Sequence, residues 1–112
     1  MPTLLIATGK IGPRLFIQHG FSTIITAHSI GADCWVNQQV TIGFTAGGGA
    51  PTIGDRVIIN AGAKVLGGIT VGSDVVIGAN AVVVKNVPSN VTVVGVPAYI
   101  VRRDGVRVSE KL

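Results

Sequence analysis

Residues 53–84 read IGDRVIINAGAKVLGGITVGSDVVIGANAVVV, and their spacing decides the architecture. Ile53, Ile59, Val65, Val71, Ile77 and Val83 stand six residues apart without a slip. Four residues after each comes a small or medium apolar side chain: Val57, Ala63, Ile69, Val75, Ala81 and Val87. Directly after each aliphatic stands Gly54, Asn60, Leu66, Gly72, Gly78 or Val84, mostly small or tolerant of turns. A helix repeats every 3.6 residues and a strand every 2, so a sustained period of six fits neither alone. It fits a short strand followed by a tight corner. Three such units close one triangular turn, and successive turns stack their strands in parallel around layers of Ile and Val. One turn cannot bury its own face, so several must stack.

The same phase continues outward to Ile42, Val36 and Ile30, and again at Ile17 and Ile11. It fails twice. Between Ile17 and Ile30 there is one residue too many, and His19 lies just inside that gap. Between Ile42 and Ile53 the chain inserts GFTAGGGAPT, expected to bulge as a loop at 44–52. The chain therefore reads as a single domain, 1–112. Its coils are expected at about 11–88 (11–29, 30–52, 53–70 and 71–88), followed by a short C-terminal tail at 89–112. Glycine or asparagine at the corners is expected to supply backbone angles that bulkier residues resist. A β-sandwich would show turns every 8–12 residues at variable spacing, and the strict phase argues against that alternative.

Composition agrees with stacked aliphatic layers. Of 112 residues, 47% are hydrophobic and only 4% aromatic, with 16 glycines. Residues 34–54 carry no formal charge, but Asn37, Gln38, Gln39, Thr41, Thr45 and several glycines make them too polar for a membrane helix. The opening MPTLLIATGK lacks a basic segment before a long apolar run, so neither a signal peptide nor membrane insertion is expected, and a cytoplasmic location is. Cys34 is the single cysteine, which excludes an internal disulfide and fits a small buried hydrophobe. The net charge is +4, with Lys85, Arg102, Arg103, Arg107 and Lys111 late in the chain. No aromatic interleaving or basic helical face accompanies them, so nucleic acid is not an expected partner. A small anionic, nucleotide-bearing ligand accounts for that charge equally well.

The stretch from Ile53 on, IGDRVIINAGAKVLGGITVGSDVVIGANAVVVKNVPSNVTVVGVPAYIV, resembles the C-terminal half of the hexapeptide-repeat acyltransferases. Within them it is most similar to the serine acetyltransferase branch and its relatives in capsule and exopolysaccharide biosynthesis. VVVKNVPSNVTVVGVPA resembles that superfamily's exit from the helix, and KIGPRLFIQHGFSTII resembles the coil that bears the catalytic histidine. The resemblance spans roughly residues 9–103. It implies an all-β, left-handed parallel β-helix, a handedness that spacing alone does not give.

The resemblance also implies an acetyl-CoA-dependent O-acetyltransferase, assembled as a homotrimer with its sites between subunits. His19 falls at the family's general base. An imidazole of near-neutral pKa suits removal of a hydroxyl proton, a task worth about 10²–10⁴-fold in rate. The positions matching the pantetheine and nucleotide contacts of acetyl-CoA are Ala61, Ala79, Val84 with Lys85, and Arg102. Tyr99 stands where the family has a further basic residue, a role open to Arg103. The family's acidic partner of the base falls at Leu4, and its second histidine at Ala50, ahead of Pro51. The acceptor is thus open between L-serine and a sugar or polysaccharide hydroxyl. Asp33, Asn37, Gln38 and Gln39 either hydrogen-bond that acceptor or solvate a face. No metal is expected, since His19 and His28 are the only histidines and their spacing suits no zinc set. The alternative is a non-catalytic trimeric hexapeptide-repeat scaffold or binding module.

Overall fold

Three inward columns of aliphatic side chains organise the molecule, each built from one residue per turn. The computed structural model describes residues 4–6, 9–18 and 22–112, and every regular element among them is a β-strand. Numbered in chain order, the strands form three faces of a prism. The first face holds β1 (Leu4–Ile6), β4 (Thr23–Ile25), β7 (Thr41–Gly43), β10 (Lys64–Leu66) and β13 (Val82–Val83). The second holds β2 (Lys10–Ile11), β5 (Ser29–Ile30), β8 (Thr52–Ile53) and β11 (Thr70–Val71). The third holds β3 (Phe16–Ile17), β6 (Trp35–Val36), β9 (Ile58–Ile59), β12 (Val76–Ile77) and β14 (Val91–Val94). All of these pair in parallel, one turn above the next, as a β-helix of about four turns.

Register converts the six-residue phase into a core. Ile25, Ile42, Val65 and Val83 stack on the first face. Ile30, Ile53 and Val71 stack on the second, and Val36, Ile59, Ile77 and Val93 on the third. Each of these is buried. The second apolar position of the repeat fills the corners, where Cys34, Val57, Val75 and Val91 are buried in consecutive turns. Each buried Val or Ile contributes about 1.5–3 kcal/mol. At the opening turn Ile6 and Ile11 remain about 40% exposed, with no turn beneath them among the described residues.

The stacked glycines differ from expectation in their reason. Gly12, Gly31, Gly54 and Gly72 occupy one corner in successive turns, and none has a positive φ. They are glycines because the turns touch there: a methyl on Gly54 would lie 2.8 Å from the Gly72 carbonyl carbon and 2.9 Å from its oxygen. The left-handed residues come two positions later, at Arg14, Asp33, Arg56, Asp74 and Asn90, with φ between 54° and 62°. Between them runs a ladder of side-chain acceptors. The Ala32 amide donates to Asp55 Oδ1 (2.8 Å), the Asp55 amide to Ser73 Oγ (3.0 Å), and the Ser73 amide to Ser89 Oγ (2.9 Å). Pro13 and Ala32 fit the bottom of this ladder, because Pro13 has no amide hydrogen for a side chain at 32 to accept.

The repeat expected from Ile11 reaches back one strand, since β1 pairs with β4. The single extra residue between Ile17 and Ile30 is the sum of two changes. Register aligns Ile25 with Ile42, so the chain takes eight steps from Ile17 to Ile25 and then five to Ile30. Residues 89–112, expected as a tail, carry β14 in the third face. They continue as an antiparallel hairpin of β15 (Tyr99–Arg103) and β16 (Val106–Lys111) that extends that face. Ala98, just before the hairpin, and Ile100, within β15, are buried.

Candidate functional site

The corner between the third and first faces carries two of the residues matched to cofactor contacts. Ala61 and Ala79 lie one turn apart there, each directly before a left-handed residue, Gly62 (φ 76°) and Asn80 (φ 60°). The Asn80 amide donates to the Ala61 carbonyl (2.9 Å), which stacks the two corners. Neither alanine amide is a donor in the corner hydrogen bonds among the described residues; Ala79 is exposed and Ala61 half-buried. His19 lies outside the described residues. Its segment joins β3 to β4, the same third-to-first connection that Ala61 and Ala79 make in later turns.

Val84 and Lys85 follow β13 on the opposite edge of the first face. They line a cleft of about 290 Å³ with Val82, Pro97, Ala98, Lys111 and Leu112. Its floor is apolar, and neither lysine is in an ion pair among the described residues. Arg102 is elsewhere, exposed on β15 in a second cleft of about 260 Å³ with Asp74, Asn90 and Asp104. Arg103 is committed to Glu110 (Nη2–Oε1 2.9 Å), so it is not a spare cation. One chain therefore brings Val84 and Lys85 together, stacks Ala61 on Ala79, and keeps Arg102 apart from both. Lys111 had no signal in the sequence beyond the late basic excess.

The glycine-rich loop at 44–52 folds down on its own corner. Thr45 approaches Gly67, Gly49 packs against Gly68, and the Pro51 carbonyl accepts from the His28 amide (2.8 Å). Phe44 stays two-thirds exposed.

A third cleft, of about 280 Å³, opens on the third face and is lined by Gln18, Trp35, Asn37, Ile58 and Asn60. The Trp35 Nε1–H donates to Asn37 Oδ1 (3.2 Å). Asn37 Nδ2 donates in turn to Asn60 Oδ1 (3.2 Å) and to the Ile59 carbonyl (3.4 Å). Phe16 braces the indole, with ring centroids 4.6 Å apart.

Cys34 is enclosed, its Sγ–H facing the Gly54 carbonyl (3.2 Å), and burial pushes its thiol pKa up. A thiol held protonated this way is a poor nucleophile. On the outer corner, Arg14 pairs with Asp33 and Arg56 with Asp74, each through two hydrogen bonds. The guanidinium hydrogen bonds hold both carboxyls below the usual carboxylate range. Among the described residues no three His, Cys, Asp or Glu side chains gather as a metal site, and no helix is long and apolar enough to cross a membrane.

Comparison with known proteins gives this geometry a context. Residues 50–85 match the family model "Bacterial transferase hexapeptide (six repeats)". A serine acetyltransferase of Staphylococcus aureus is 52% identical over 105 residues, covering 90% of this chain and 49% of that protein. One from Staphylococcus xylosus is 48% identical over 110 residues, with the same coverage. Among solved structures, the serine acetyltransferase of Neisseria gonorrhoeae superposes with a TM-score of 0.78 at 37% identity, covering 88% of this chain and 40% of that one. A serine acetyltransferase in complex with CoA gives 0.75 at 41% identity, covering 82% and 38%. The shared fold is the left-handed parallel β-helix. The chain spans about half the length of the curated relatives it matches.

Proposed function

Since this chain belongs to the hexapeptide-repeat acyltransferase superfamily, in its serine acetyltransferase-like branch, we propose that it is an acetyl-CoA-dependent O-acetyltransferase acting on a hydroxyl acceptor, L-serine or a saccharide. The observation that carries the reading is the stack of Ala61 on Ala79, with neither amide a donor among the described residues, on the same type of connection that contains His19. An extended pantetheine arm presents amide carbonyls at intervals, and a column of open backbone N–H groups suits it.

In the proposed reaction the acceptor oxygen attacks the thioester carbonyl carbon while its proton passes to His19. The carbon–sulfur bond then breaks, and the proton held by His19 goes to the departing thiolate. A backbone amide near the carbonyl oxygen would stabilise the charge that develops there, a contribution of about 2.7–4 kcal/mol in comparable sites. No acyl-enzyme is required, which agrees with the enclosed, protonated Cys34.

The apolar cleft at Val84, with the ammonium groups of Lys85 and Lys111 in no ion pair among the described residues, suits the nucleotide end of the donor. Ala61 and Ala79 lie across the first face from that cleft, and Arg102 lies on another face. This division supports sites shared between copies, with one subunit giving the alanine corner and a neighbour giving the lysines. A homotrimer is the assembly that a three-faced prism builds most simply.

The test is free-thiol release from acetyl-CoA with a panel of hydroxyl acceptors, for wild type and His19→Ala. Acceptor-dependent release that falls at least about 10²-fold in the variant supports the reading. Equal, acceptor-independent release from both proteins overturns it in favour of a non-catalytic scaffold.

A further inference from the structure

We propose that the cleft beside Trp35 is an acceptor subsite for a pyranose ring, so that the hydroxyl substrate is a saccharide rather than a free amino acid. The inference rests on the transferase reading above and names its acceptor class.

The cleft is built for a neutral, partly apolar ligand. Trp35 points outward from β6 and is 42% exposed, with Ile58 at 38% continuing the apolar surface on the next turn. The C–H face of a pyranose stacks on such a platform. The indole does not have to be ordered on binding, because Phe16 braces it from below and its N–H is tied to Asn37. Holding the platform in place beforehand removes an entropic cost of association.

The amides supply the polar half. Asn37 donates to a carbonyl and to Asn60 Oδ1, so its own oxygen must face the indole, and the amide orientations are fixed in sequence. Asn60 accepts through Oδ1, and among the described residues Nδ2 has no acceptor, at the edge of the cleft. Sugar hydroxyls accept from such a donor. Gln18 lines the same cleft and is the chain neighbour of His19.

Charge supports a saccharide over an amino acid. The described residues that line it, Gln18, Trp35, Asn37, Ile58 and Asn60, are all neutral. A zwitterionic amino acid would need partners for its ammonium and carboxylate, and a phosphate would need cations. A polyol needs neither.

Trp35 is the chain's only tryptophan, so emission excited selectively at tryptophan reports on this cleft alone. The protein is titrated with methyl α- and β-D-glucopyranoside, methyl β-D-galactopyranoside and N-acetylglucosamine, and in separate arms with L-serine and adenosine 3′,5′-bisphosphate. The expected result is a saturable emission change with at least one pyranoside and none with the other two ligands. Saturation-transfer NMR should show Trp35→Ala and Asn60→Ala weakening that binding about tenfold, with Trp35→Phe intermediate. In the transfer assay the same variants should raise the saccharide KM by a similar factor and leave the acetyl-CoA KM unchanged. An emission response to L-serine or the nucleotide but to no pyranoside overturns the inference. So does a Trp35→Ala protein whose assembly state changes in sedimentation, since the platform would then be a contact between copies. Transfer to L-serine with no pyranoside response sinks the subsite and leaves the transferase reading standing. Pyranoside binding without transfer to any acceptor does the reverse.

Discussion

Gly54→Ala is the sharpest test of the packing that makes this prism possible. Gly54 has no positive φ, so alanine brings no backbone strain of its own. The cost is contact. The added methyl would stand 2.8 Å from the Gly72 carbonyl carbon, 2.8 Å from Ser73 Oγ and 2.9 Å from the Gly72 oxygen. Two of those atoms are backbone, so relief requires two turns to part rather than one side chain to rotate. Overpacking of this kind costs about 1–3 kcal/mol, and rigid neighbours place it near the upper end. Ser73 Oγ also accepts the Asp55 amide at 3.0 Å, and displacing it adds about 1 kcal/mol. A combined loss of about 3–4 kcal/mol corresponds to a fall in Tm on the order of 10–15 °C for a chain of this size. Gly48→Ala is the control, because its φ is 86° and nothing lies within 4 Å of the added methyl. There only the left-handed penalty applies, about 1–2 kcal/mol. Thermal melts followed by circular dichroism should be compared at one protomer concentration, since assembly shifts apparent stability. If Gly54→Ala melts at or above the temperature of Gly48→Ala, close contact between turns is not what selects glycine at this corner.

Two further outcomes are expected. Asp33 and Asp74 have folded-state pKa values below their unfolded ones, so each contributes stability above about pH 4 that is lost as pH falls through the folded value. The Tm difference between wild type and Asp74→Asn should therefore shrink from pH 6 toward about pH 3, and added salt should flatten it because both groups are exposed; a difference that grows on acidification refutes the assignment. Lys85→Ala and Lys111→Ala should each raise the acetyl-CoA KM about two- to fivefold with little change in kcat, the range of an exposed charge contact. An effect on kcat alone would remove both lysines from the donor's binding groove.

The inward half of the fold was legible because it obeys one rule at every turn. From Ile53 to Val83 no residue is inserted or lost, so counting by six lands on buried aliphatics throughout. Counting failed where two changes offset each other. Eight steps from Ile17 to Ile25 and five to Ile30 leave a net excess of one, and the sequence shows only the sum. The reason for glycine was also hidden. A small residue at Gly54 or Gly72 satisfies both a turn that needs unusual angles and a turn pressed against its neighbour, and only the contact distances separate the two. Residues 89–112 gave no phase to count because β15 and β16 abandon the repeat for an antiparallel hairpin, which is why Lys111 could not be placed beside Lys85.

The outward half was harder to read for a reason that bears on the site. Phe16, Trp35, Ile58 and Val76 are consecutive rungs of one outer column on the third face. In the sequence they are 19, 23 and 18 positions apart, which looks like no period at all. The regular interval is 18, three units of six, and it holds only between Ile58 and Val76. The offset at 17–30 stretches the first interval, and the loop at 44–52 stretches the second. Both irregularities attract attention as places where chemistry is held, and both conceal the platform on the regular face between them. An exposed Trp beside a linked pair of asparagines in a chain with 4% aromatic residues is not needed to stack turns, since Ile58 and Val76 occupy the same column without it. A residue that the fold does not require, held in place by its own hydrogen bond, is better explained by something it binds.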